Sequence, residues 1–80
     1  MAEDDRADRI LRAFGKRLRA CRIAAGYNTA DSFARELGID GWRYRKYERG
    51  ESMPPFDVLE DICRLTDKSA DFLLFGVSRR

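Results

Sequence analysis

The chain contains no histidine, and only two of its 80 residues are cysteine and two proline. Without histidine it lacks both the usual general base near neutral pH and the commonest metal ligand. A structural zinc site takes about four nitrogen or sulfur ligands. Cys21 and Cys63 fall short of that, so no metal or other cofactor is expected. Each lies on the apolar face of a predicted helix, and both read as reduced core thiols rather than as a disulfide. Long hydrophobic runs are missing as well, none approaching the ~20 residues of a bilayer span. The amino end, MAEDDRADR, is acidic, unlike the basic-then-apolar start of a secretory signal. With no phosphate-cradling glycine loop and no nucleophile–base pair, an enzyme is not expected. A cytoplasmic protein without a membrane span is.

What is present suffices for one small domain over residues 1–80. The composition is 44% hydrophobic and 38% charged, enough for a modest core near the lower size limit of an unassisted fold. The net charge is only +2, but it is unevenly distributed. Residues 1–9 carry four acids against two bases, and residues 10–49 carry ten bases against four acids. Residues 50–78 carry two bases against six acids, before Arg79 and Arg80. Such segregation marks a surface that meets an anion, the alternative being a merely solvated charged face.

Apolar periodicity predicts five helices and no strand. Ile10, Phe14, Leu18, Cys21 and Ala25 form a helical stripe ending near Gly26. Gly15 within it costs about 1 kcal/mol against alanine, so residues 1–9 are expected as a frayed acidic arm. Thr29 can cap a second helix, with Asp31 in its first turn and Phe33, Ala34 and Leu37 inward. Asp40 is the next cap and Gly50 the next stop. After a proline-containing loop, Phe56, Leu59, Ile62, Cys63 and Thr66 give a fourth stripe, widened by Val58 and Leu65. Ser69 caps a last short helix with Phe72 and Phe75, closed by Gly76. Residues 77–80 read as a flexible tail.

The segment GIDGWRYRKYERG, residues 38–50, holds four arginines and lysines and three large aromatics. As a strand it would put Arg43, Arg45 and Tyr47 on one face, a poor core. As a helix from Gly41 to Arg49 it turns Tyr44, Tyr47 and Glu48 inward. Trp42, Arg43, Arg45, Lys46 and Arg49 are then left outward or at the flank. Caps at both ends favour the helix. The two short helices, joined by Gly38-Ile39-Asp40 with the small Ala34 between them, form a helix-turn-helix over residues 30–49.

These residues resemble the Cro/CI-type, or XRE, helix-turn-helix family. The likeness lies in RLRACR on the first helix, in Thr29, Ala34 and Gly38-Ile39 through the turn, and in YERG closing the third helix. Pro54, LEDIC and SADFLLFG continue it, so that it covers about residues 14–76. The resemblance implies an all-α, five-helix, lambda-repressor-like domain whose third helix enters the DNA major groove. It also implies a structural pair between Arg22 and Glu48; the inward position of Glu48 makes a buried pair the expectation, the alternative being a surface pair. Three departures stand out. The loop Gly26-Tyr27-Asn28 is one residue longer than the common spacing, Ala30 replaces a phosphate-touching glutamine, and Tyr44 fills a slot usually aliphatic.

On that resemblance, double-stranded DNA is the expected partner and a transcriptional regulator, most simply a repressor, the expected function. Trp42, Arg43, Arg45 and Lys46 are the candidates for base edges. Trp42 can meet a thymine methyl or pack back under Arg45 or Lys46. Thr29, Gly41, Arg49, Tyr27 and Asn28 are the candidates for the backbone. Lys16, Arg17 and Arg19 are expected to extend the basic surface. One module reads few base pairs, so a homodimer is expected, with Phe72, Phe75 and Val77 as interface candidates. The alternatives are an antitoxin or protein-interaction module on the same fold and, less favoured, single-strand or RNA binding through exposed rings.

Overall fold

A computed structural model describes residues 2–77, with side chains from Asp5 onward. The order is α1 (Ala2–Ala24), α2 (Ala30–Leu37), α3 (Gly41–Arg49), α4 (Phe56–Thr66) and α5 (Ala70–Phe75). Among the described residues there is no strand, and no helix is long and apolar enough to cross a membrane. Of the expected flexible tail, Ser78 to Arg80 lie outside the described residues.

Three helices start as their sequences dictate. Thr29, Ser69 and Asp40 each present a side-chain oxygen to the backbone N–H three residues on, satisfying a donor the helix itself leaves open. Gly38, Gly50 and Gly76 close the same three helices. The fourth starts differently: Pro54 is buried in the preceding loop, and Pro55 occupies the cap position with no side-chain bond.

α1 is the central post, packing against α3, α4 and α5, while α2 packs on α3 and α4. The core between them is Phe14, Leu18, Cys21, Phe33, Ala34, Leu37, Tyr44, Tyr47, Val58, Ile62 and Leu73. Both cysteines are free thiols, and burial pushes both up from the ordinary thiol range.

The apolar stripes are shorter than the periodicity predicts. Ile10 is 38% exposed and Phe56 91% exposed, and Ala25 is exposed. Ile10 lines an open apolar groove with Met53, Leu74 and Phe75, which covers only part of it. Phe56 is the first residue of α4, and a helical side chain leans back over the preceding turn, where α4 has none.

Two further residues depart from expectation. α1 passes unbroken through Gly15, and residues 2–9 are helical, their side chains exposed from Asp5 to Arg9. Gly15 is buried against α3: a Cβ there would overlap the Glu48 carbonyl oxygen and come within 2.8 Å of the Tyr47 carbonyl oxygen. Arg17 turns away from the basic surface. Its Nη1 donates to the carbonyls of Leu73 and Leu74, each at 3.2 Å. It thereby supplies the cation that the last turn of α5 lacks and ties that helix to α1.

Candidate nucleic-acid interface

The register of the helix-turn-helix is set at its two starts. The Thr29 hydroxyl accepts the Ser32 N–H at 3.1 Å, and the Thr29 carbonyl accepts the Ser32 hydroxyl at 2.9 Å. Asp40 accepts the Arg43 N–H at 2.9 Å. Each cap fixes the direction in which its helix leaves the turn.

The inner face of α3 is held by rings and by one carboxylate. Edge-to-face contacts run from Tyr27 to Phe33 (4.9 Å), Phe33 to Tyr44 (5.4 Å) and Tyr44 to Tyr47 (6.2 Å). Glu48 Oε2 accepts from Arg22 Nε at 2.7 Å and from the Tyr44 hydroxyl at 2.6 Å. Arg22 Nη1 donates at 2.7 Å to the carbonyl of Tyr27. One buried arginine thus joins α1, the lengthened loop and α3. The Tyr44 hydroxyl, which an aliphatic residue in that slot would lack, finds its partner in Glu48.

Burial first, then the hydrogen bond to Glu48, drives the Tyr44 phenol well above the ordinary tyrosine range. Tyr44→Phe is expected to destabilise the fold by about 1.5–3 kcal/mol near neutral pH, as for a hydrogen bond to a charged group. A raised folded-state pKa gives stability that is present below the unfolded value and lost above it. The gap between wild type and variant should therefore narrow by about 1.4 kcal/mol per unit as pH rises past ~10. Urea denaturation at pH 8 and pH 10.5 measures it, and a gap that does not narrow contradicts the assignment.

At about 100° per residue, the outer arc of α3 carries Gly41, Trp42, Arg45, Lys46 and Arg49. Arg43 sits at the edge of the arc, beside the buried Tyr47, where its Nε donates to the Tyr47 hydroxyl at 3.1 Å. Trp42 is 67% exposed, and the Lys46 ammonium lies 4.2 Å from its ring centroid, a cation–π contact. Arg49 pairs with Glu51 through two bonds, at 2.8 and 3.1 Å, and the first of these holds the Glu51 carboxyl below the usual range. Arg45 Nη2 donates to Asp31 Oδ1 of α2 at 2.6 Å.

The residues expected at the DNA backbone are spread more widely. Thr29 and Gly41 stand at the starts of the two helices, with the Thr29 hydroxyl already engaged in capping. Asn28 is exposed. Tyr27 packs its ring on Phe33 and gives its carbonyl to Arg22, a wedge holding the loop rather than a free loop side chain.

Sequence reasoning gave Asp31 only a place in the first turn of α2 and missed its bond to Arg45, fourteen residues on. The one available signal was Gly41, a glycine at the first position of a helix where a better helix former would be favoured.

A family described as a helix-turn-helix domain matches residues 13–71. Among curated proteins, the chain is 37% identical over 60 residues to the uncharacterized HTH-type transcriptional regulator YazB of Bacillus subtilis, covering 75% of this chain and 86% of that protein. No solved structure matches the chain.

Proposed function

The chain belongs to the helix-turn-helix family, and from that premise we propose that it is a sequence-specific, double-stranded DNA-binding transcriptional regulator acting as a repressor. α3, residues 41–49, reads the major groove. The observation that carries this reading is the division of α3 into two faces. Tyr44, Tyr47 and Glu48 fasten its inner face to α1 and α2, while Trp42, Arg45 and Lys46 project from a basic outer arc with Arg43 beside them. A firmly anchored helix presenting basic side chains on its free face is what base-edge recognition requires. Arg49, at the far end of the arc, and the amino end of α2 at Thr29 and Asn28 suit phosphates, which set register without reading sequence.

Selection of bound duplexes from a random pool tests the reading. A motif is expected, with affinity falling steeply as salt rises. Arg45→Ala should relax one position of the motif, whereas Arg49→Ala should weaken all duplexes alike. No enriched motif together with a flat salt dependence would overturn DNA recognition.

The protein acts as a homodimer in this proposal, since one module spans few base pairs. Phe75, which is exposed, lines an apolar groove with Ala7, Ile10, Leu11, Met53 and Leu74, and this is the face assigned to the dimer; Val77, also exposed, follows two residues on in the chain. Phe72, also expected there, is half-buried on a separate groove beside Cys21 and Lys68. Sedimentation equilibrium should find a dimer on operator DNA. Phe75→Glu should reduce it to a monomer without loss of helicity, and a wild-type monomer at high micromolar concentration with and without operator would count against the assembly.

A further inference from the structure

We propose that Asp31 is a positioning residue that fixes Arg45 as the principal guanine-reading side chain, and that position 41 is glycine because this bridge fills the space beside it. The inference rests on α3 reading the major groove and names the residue that decides its specificity.

Three observations carry it. Asp31 and Arg45 come from the two different helices of the helix-turn-helix, and their side chains meet at 2.6 Å while remaining 60% and 43% exposed. An ion pair so exposed contributes little to stability. What it does do is select one direction for a long side chain that would otherwise sample many.

The second observation is Gly41. It sits in the first turn of α3 with no positive φ, so conformational freedom is not what requires glycine. A Cβ at this position would overlap Asp31 Oδ1 and lie 3.2 Å from Arg45 Nη1. The missing side chain is the room in which the bridge forms.

Third, the bond engages a donor on Nη2 of a guanidinium that carries five N–H donors. Donors therefore remain for the O6 and N7 of guanine, and the rotamer freedom that binding would remove is already reduced in the free protein. A carboxylate at the front of α2 has a second, simpler use in favouring the helix dipole. That use needs neither Arg45 nor a gap at position 41.

The test is selection of duplexes from a random pool by the full chain and its variants, followed by titration of the selected duplex and its single-base variants. Arg45→Ala should erase the preference at one base pair. Asp31→Asn and Gly41→Ala should each lower the preference at that same base pair about five- to tenfold and leave the other positions unchanged. Gly41→Ala should melt at or above the wild-type temperature, alanine being the better helix former, so its loss of preference is not a loss of fold. Unaltered preference in both Asp31→Asn and Gly41→Ala overturns the inference, even if Asp31→Asn tightens every duplex alike by removing a negative charge. A wild type that enriches no motif overturns the DNA reading and this inference with it.

Discussion

Gly15→Ala is expected to destabilise the protein by about 2–3 kcal/mol, lowering the melting temperature by roughly 10–20 °C for a domain of this size. Helix propensity alone predicts the opposite, a gain of about 1 kcal/mol for alanine in the middle of a helix. Packing decides against it. The new methyl would overlap the Glu48 carbonyl oxygen and approach the Tyr47 carbonyl oxygen, and both are backbone atoms rather than the ends of flexible side chains. α3 cannot easily yield, because Tyr47 is buried and Glu48 is tied to Arg22 and Tyr44. At Gly50, which takes a left-handed conformation (φ 75°), α3 also comes close to the backbone of Arg12 on α1. Each helix thus contributes a glycine to the crossing. Thermal melting of the alanine and valine variants checks the prediction. Valine should cost more than alanine, and an alanine variant as stable as wild type would mean that the two helices separate freely.

Gly15 also marks the boundary of what the sequence discloses. Features set within a few residues are legible: the caps at Thr29, Asp40 and Ser69, the closing glycines and the inward spacing of Tyr44, Tyr47 and Glu48 all follow from local chemistry. Features set by which helices meet are not. A glycine inside an apolar stripe reads as a weak point until the helix against it is known. Arg17 reads as one more cation on a basic face, and only the placement of α5, 56 residues away from it at Leu73, shows what it caps. Asp31 and Arg45 are likewise unremarkable apart. Phe56 fails in the other direction, since it continues the period of α4 but falls at its first turn, where there is nothing to cover it. For the candidate interface, the choice of helix and its two faces is legible, whereas the partner of each outward side chain is not.

Removing the carboxylate at position 48 should be among the most damaging single changes available to the fold. Glu48→Ala is expected to cost about 3–5 kcal/mol, because it leaves a buried arginine without its counter-charge. The Arg22 side chain is only 5% exposed and that of Glu48 11%, so water cannot replace the lost partner at either end. Folding free energies run at roughly 0.05–0.15 kcal/mol per residue, so for this chain of 80 residues the loss is about a quarter or more of the total. Arg22→Met should be comparably harmful, since it strands Glu48 and frees the Tyr27 carbonyl together. Combined, Arg22→Met with Glu48→Leu should cost clearly less than the two singles summed, because no buried charge is then left alone. Urea denaturation of the full cycle measures that coupling. Single costs below about 1 kcal/mol would instead be those of a solvated surface pair. The same bond bears on the proposed DNA recognition, since the Arg22–Glu48 pair is one of the contacts that hold α3 at its angle to α1. Variants that survive folding should therefore lose affinity for every duplex by more than their unfolded fraction explains, while the order of preference among bases is kept.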